Sequence, residues 1–135
     1  MTQEDKELLL RDLCARLSYG VKIRLQGKPR ILFGIQENLI IVRTRSKDCG
    51  WEWDEYDIEE WDIKPYLRPM SSMTEEEYES IKYKYSFYGD SILHTSEMFT
   101  CGDVTDWLNA HHFDYRGLIE KGLALEAPED MYNFK

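Results

Sequence analysis

Leu17-Ser18-Tyr19-Gly20-Val21-Lys22-Ile23-Arg24-Leu25 contains a change of period. Before it, Leu9, Leu10, Leu13, Cys14 and Leu17 recur at helical spacing and predict one apolar helix face. After it, Val21, Ile23 and Leu25 alternate with Lys22 and Arg24, the pattern of a half-buried strand. Gly20 stands between them, where a left-handed residue ends a helix. Upstream, Thr2 followed by Asp5 supplies an N-cap with a carboxylate that can reach back to it.

Downstream the alternation continues. Gln26-Gly27-Lys28-Pro29 reads as a turn, and Arg30 to Ile35 and Leu39 to Thr44 read as strands broken at Gln36-Glu37-Asn38. Ser46 to Gly50 is a second turn, and Trp51 to Tyr56 is a fourth, aromatic strand. Connections this short join antiparallel neighbours, so a meander is expected. In Lys64-Pro65-Tyr66-Leu67-Arg68-Pro69-Met70 two prolines push the chain to extended geometry and predict a connector laid across the core. Thr74-Glu75-Glu76-Glu77 is a capping box opening a second helix, with Tyr78, Ile81 and Tyr85 inward. Residues 91–99 read either as a short strand or as irregular chain. A third helix starts near Gly102, with Val104, Trp107 and Leu108 inward, and Leu123-Ala124-Leu125 is a candidate edge strand.

The fold class expected is α+β: an N-terminal helix, a four- or five-stranded antiparallel meander, and C-terminal helices packed with the sheet. One domain of 135 residues is divided into a helix over 1–20, a sheet over 21–63, a proline connector over 64–73, a helical part over 74–126 and a polar tail over 127–135. The expected core is Leu9, Leu13, Leu17, Ile23, Leu32, Ile40, Val42, Ile81, Trp107, Leu108 and Leu118.

Hydrophobic residues at 42% and aromatics at 13% exclude a disordered acidic tail. The longest strongly apolar run is Leu39 to Val42, against the roughly 20 residues a membrane helix needs, so no membrane partner is expected. The acidic, polar start is unlike a secretion signal, which leads to an expected cytoplasmic location. Cys14, Cys49 and Cys101 form no C-x-x-C pair and read as reduced thiols. The net charge of −9 is uneven: residues 1–15 carry −2, residues 16–47 carry +7, and residues 48–135 carry −14. The basic and acidic blocks either neutralise each other in the fold or face different partners.

Lys64-Pro-Tyr-Leu-Arg-Pro-Met-Ser-Ser-Met-Thr74 and Asp106-Trp-Leu-Asn-Ala-His-His-Phe-Asp-Tyr-Arg-Gly-Leu-Ile119 resemble stretches of a family of small uncharacterised proteins of gut anaerobic bacteria, their prophages and other mobile elements. Gly122 to Pro128 and Leu8 to Val21 are similar to that family too. The resemblance implies a bacterial, cytoplasmic, mobile-element-associated protein. It carries no activity and no binding site.

No glycine-rich phosphate loop and no G-x-S-x-G is present, and no cofactor is expected. Three constellations remain. His111 and His112, with Asp114, are the metal or hydrolase candidate. Adjacent helical residues point about 100° apart, so the pair reads instead as the close of the third helix, with imidazole bonding free carbonyls. Cys101, at a helix start, is a nucleophile candidate without an evident base. Lys22, Arg24, Arg43 and Arg45, interleaved with Tyr19, Phe33 and Trp51, form a basic aromatic sheet of the kind that binds single-stranded nucleic acid. A hairpin centred on Asp48 places Arg45 opposite Trp51 and Arg43 opposite Trp53 as cation–π pairs; a one-residue shift places them opposite Glu52 and Asp54 as ion pairs. Either register uses the arginines internally.

Trp51 to Asp62 carries seven carboxylates and no base in 12 residues. Its aromatics inside an acidic rim suit a basic protein partner. Trp51, Trp53, Glu55, Asp57, Glu59, Glu60 and Trp61 are the candidate binding residues. The aromatic run Tyr83 to Tyr88 is a further candidate patch. The reading adopted is a non-enzymatic protein-interaction module acting on another protein, such as a host regulator or defence component. Its rivals are a nucleic-acid binder using the basic meander and an enzyme around His111 and His112.

Overall fold

The computed structural model describes residues 1–46, 50–84 and 102–132. Helix α1 (Gln3–Arg16) opens on a complete capping box: the Thr2 hydroxyl accepts the Asp5 N–H at 3.0 Å, and the Asp5 carboxylate accepts the Thr2 N–H at 3.3 Å. It closes through a single 3₁₀ turn, Leu17–Tyr19, onto Gly20 at φ 70°, a left-handed position that glycine occupies without strain. Strands β1 (Lys22–Leu25), β2 (Lys28–Gln36), β3 (Leu39–Ser46) and β4 (Gly50–Asp57) follow as an antiparallel meander. Helix α2 (Glu75–Lys84) starts at the Thr74–Glu77 capping box, and α3 spans Gly102–Ala110. The class is α+β, as the period change predicts.

The sheet is larger than expected. Its order is β4-β3-β2-β1-β5-β6, with β5 (Lys64–Leu67) antiparallel to β1 and β6 (Leu125–Glu126) parallel to β5. The proline segment expected as a connector therefore starts as a strand inside the sheet. Extended geometry imposed by proline is also strand geometry, and the missing N–H of Pro65 is tolerated because the β1–β5 ladder is only two residue pairs long, Ile23↔Pro65 and Arg24↔Lys64. Past that point the Tyr132 hydroxyl bridges the two strands. It accepts the Lys22 N–H and donates to the Tyr66 carbonyl, both at 2.8 Å. Burial pushes the Tyr132 pKa up to about 12, so the hydroxyl keeps its proton. The part expected to be helical over 74–126 also ends in β6.

Ile23, Leu25, Leu32, Ile40, Val42 and Leu67 point from the sheet onto Leu9 and Leu13 of α1, with Ile58, Ile63, Leu118 and Leu123 closing the sides. A second cluster gathers Val104 and Leu108 of α3 with Phe113 and Tyr115. Leu17 and Trp107, expected in the core, are only half-buried. Helix α1 is rotated relative to its apolar pattern: Asp12 and Arg16 are fully buried with Leu9 and Leu13, whereas Cys14 is exposed. Asp12 accepts from Arg16 Nε and from Arg116, each at 2.9 Å, and Arg16 also donates to the Phe113 carbonyl. This ion cluster ties α1 to the chain after α3. Expectations for 91–99, Cys49, Cys101, the Ile81 side chain and the Tyr83–Tyr88 aromatics lie outside the described residues.

Candidate functional site

Alternation divides each strand between two faces. The face opposite the core receives Lys22 and Arg24 from β1, Ile31 and Phe33 from β2, Arg43 from β3, and Trp51, Trp53 and Glu55 from β4. The register aligns Trp53, Arg43, Ile31 and Lys22 in one row across four strands. A bulge between Leu32 and Gly34 shifts the β2 register beside Phe33. Ile31 is 49% exposed, Phe33 46%, and Trp51 and Trp53 51% each. Phe33 and Trp53 meet edge to face with centroids 4.2 Å apart. The Arg43 guanidinium lies 4.1 Å from the Trp51 ring centroid, 5.4 Å from Phe33 and 5.9 Å from Trp53. Arg45 stands opposite Trp51 and Arg43 opposite Trp53, so the cation–π register is the one formed.

Four of the eight basic residues of the 16–47 block are held by their own chain. Arg16 is buried on Asp12. Arg24 pairs with Asp62 at 2.8 Å, and Lys22 Nζ donates to the Met131 carbonyl at 3.3 Å beside the Tyr132 ring. Arg43 is held among aromatics. In contrast, Glu52, Asp54 and Glu55 are exposed on β4 and form no ion pair with any described residue.

The candidate residues of the acidic stretch separate into two places. Trp51, Trp53 and Glu55 share the outer face. Asp57 ends β4, where its carboxylate accepts the Glu59 N–H at 2.8 Å and its carbonyl accepts from Glu60 and Trp61. Glu59 pairs with Lys6 of α1 at 3.0 Å. Trp61 packs edge-on to Tyr56 at 5.0 Å. Glu59, Glu60 and Trp61 line a different cleft of about 500 Å³, against the start of α1.

No protein-family model, curated protein or solved structure matches the chain.

The histidine constellation does not converge. His111 Nδ1 lies 2.9 Å from the Trp107 carbonyl, and its ring stacks on Trp107 at 3.9 Å. His112, left-handed at φ 63° and 3% exposed, stacks on Tyr132 at 3.7 Å. Burial first, then the Arg16 charge, lowers its pKa to about 4. Asp114 accepts the N–H groups of Leu118 and Ile119 at 2.8 and 2.9 Å. The block around these residues is thus a packed joint. Among the described residues no three or more His, Cys, Asp or Glu side chains gather as a metal site, and no helix is long and apolar enough to cross a membrane.

Sequence reasoning did not single out Ile31. A signal was present: Ile31, Leu32 and Phe33 are consecutive, and a strand with one covered face has no core position for three apolar neighbours.

Proposed function

We propose that this chain is a non-enzymatic protein-interaction module that receives a protein partner on the outer face of β2, β3 and β4. The observation that carries the reading is the patch of Ile31, Phe33, Trp51 and Trp53, each about half exposed and held together around Arg43. A contiguous apolar patch on one face marks an association surface, and aromatic and arginine side chains are the usual anchors of such surfaces. Glu55 on the same face, and Glu52 and Asp54 on the other face of the β4 edge, favour a basic partner at that edge. On the mobile-element origin that the sequence blocks lead one to expect, that partner would be a host protein, such as a regulator or defence component.

Phe33→Ser combined with Trp53→Ser tests the reading. Both side chains are half exposed, so the pair should remain folded while losing partners captured from the native cell. Glu59→Gln with Glu60→Gln, on the other cleft, should lose none. Retention of every partner by the Phe33/Trp53 variant contradicts the reading. Binding of a thymidine oligonucleotide, abolished by Arg43→Gln, would favour the nucleic-acid rival.

A further inference from the structure

The partner's mode of attachment follows from strand β4, and this inference rests on the interaction reading above. β4 is the last strand of the sheet, and among the described residues nothing pairs with its outer edge. The direction of its free backbone groups follows from the ladder. Leu39 is opposite Asp57, and the next pair is joined by the Ile58 N–H donating to the Asn38 carbonyl at 2.9 Å. In an antiparallel ladder hydrogen-bonded pairs alternate with non-bonded ones. Tyr56, Asp54 and Glu52 therefore bond to β3, and Trp51, Trp53 and Glu55 direct their N–H and C=O groups to the open edge.

Those same residues lie on the outer face, inside or beside the aromatic patch. Glu52 and Asp54 are exposed on the opposite face of the strand. A chain added at this edge would meet three elements together: a row of unpaired amides, two indoles on one side and two carboxylates on the other. Trp51 to Asp57 contains four acids and no base. A second copy of β4 would set acids against acids, which is unfavourable for directly opposed strand residues.

We propose that the β4 edge accepts an extended, basic segment of the protein partner as an added strand. Lysine or arginine at alternate positions would face Glu52 and Asp54, and the intervening side chains would pack on Trp51 and Trp53. Main-chain bonds hold such a segment, and its alternating side chains select it.

The test uses the full chain and a blocked peptide of alternating arginine and valine, about seven residues long to match a typical strand. Two control peptides accompany it, one with glutamate for arginine and one N-methylated at alternate residues. Backbone amide exchange is followed by NMR. The arginine peptide should slow exchange of the Trp51, Trp53 and Glu55 amides by at least about tenfold at saturation, and the glutamate peptide should not bind. N-methylation should weaken binding by about tenfold, because donors are lost while charge is kept. Glu55→Pro, which removes one outward N–H, should weaken binding much more than Glu55→Gln. Equal affinity of the methylated and unmethylated peptides would overturn strand addition. So would indole shifts without amide protection, or no arginine-peptide binding at about 1 mM. None of these outcomes touches the interaction reading, which the Phe33/Trp53 variant tests separately.

Discussion

Asp12→Ala should be among the most damaging single changes available in this chain. The Asp12 side chain is fully buried and takes two charge-assisted hydrogen bonds at 2.9 Å, from Arg16 and from Arg116. Its removal leaves the Arg16 guanidinium, also fully buried, with the Phe113 carbonyl as its remaining acceptor and the Tyr115 ring 5.3 Å away. Arg116 is 15% exposed and can turn toward water; Arg16 cannot. Stranding one member of a buried pair costs about 3–5 kcal/mol. Total stability of a domain is about 5–15 kcal/mol. With a urea slope of about 2 kcal/mol per molar, the unfolding midpoint should fall by about 2 M. Asp12→Leu with Arg16→Met removes both charges and should recover most of that loss, since an apolar replacement for a buried pair is often neutral. A cost below about 1 kcal/mol for Asp12→Ala, or a double variant no more stable than the single, would refute the reasoning.

Other consequences are accessible to the same measurements. His112 has a folded pKa of about 4 against 6.5 unfolded, so between those values only the unfolded chain takes the proton. Its contribution to stability is complete above pH 6.5 and is lost as pH falls toward 4, by up to about 3 kcal/mol. Urea midpoints of His112→Gln, compared with wild type across that range, should lack this component. Tyr132→Phe leaves the Lys22 N–H without its acceptor and should release the C-terminal tail, raising exchange of the Lys22 amide about tenfold. Trp107→Ala should cost about 1–3 kcal/mol, below the value for a fully buried ring, because Trp107, stacked on His111 and Phe113, is only half-buried. A urea titration decides that figure.

The parts legible in the sequence are those governed by local rules. The period change at Gly20, the capping boxes at Thr2 and Thr74 and the short turns place α1, α2 and the meander. The loop centred on Asp48 already offers the register that sets Arg43 opposite Trp53. The illegible parts depend on chain segments far apart. β5 was hidden because Pro65 argues against a strand in isolation, and only a two-pair ladder with β1 and a distant Tyr132 make it acceptable. The rotation of α1 was hidden because Asp12 and Arg16, four residues apart, look like a solvated helix pair until Arg116 and the Phe113 carbonyl enclose them. The candidate site shows the same division. Trp51 and Trp53 were found from composition, but their grouping with Ile31 and Phe33, and their separation from Glu59, Glu60 and Trp61, follow from sheet order.

A photo-crosslinking phenylalanine derivative placed at Ile31, and separately at Glu60, tests the central claim most directly. Both positions are exposed, and they belong to different surfaces of the molecule. Irradiation of the native cell should join one discrete protein to the chain labelled at position 31, and that product should vanish when Phe33→Ser and Trp53→Ser are added. A product formed from position 60 and not from position 31 would contradict the assignment of the working surface to the outer face of β2, β3 and β4.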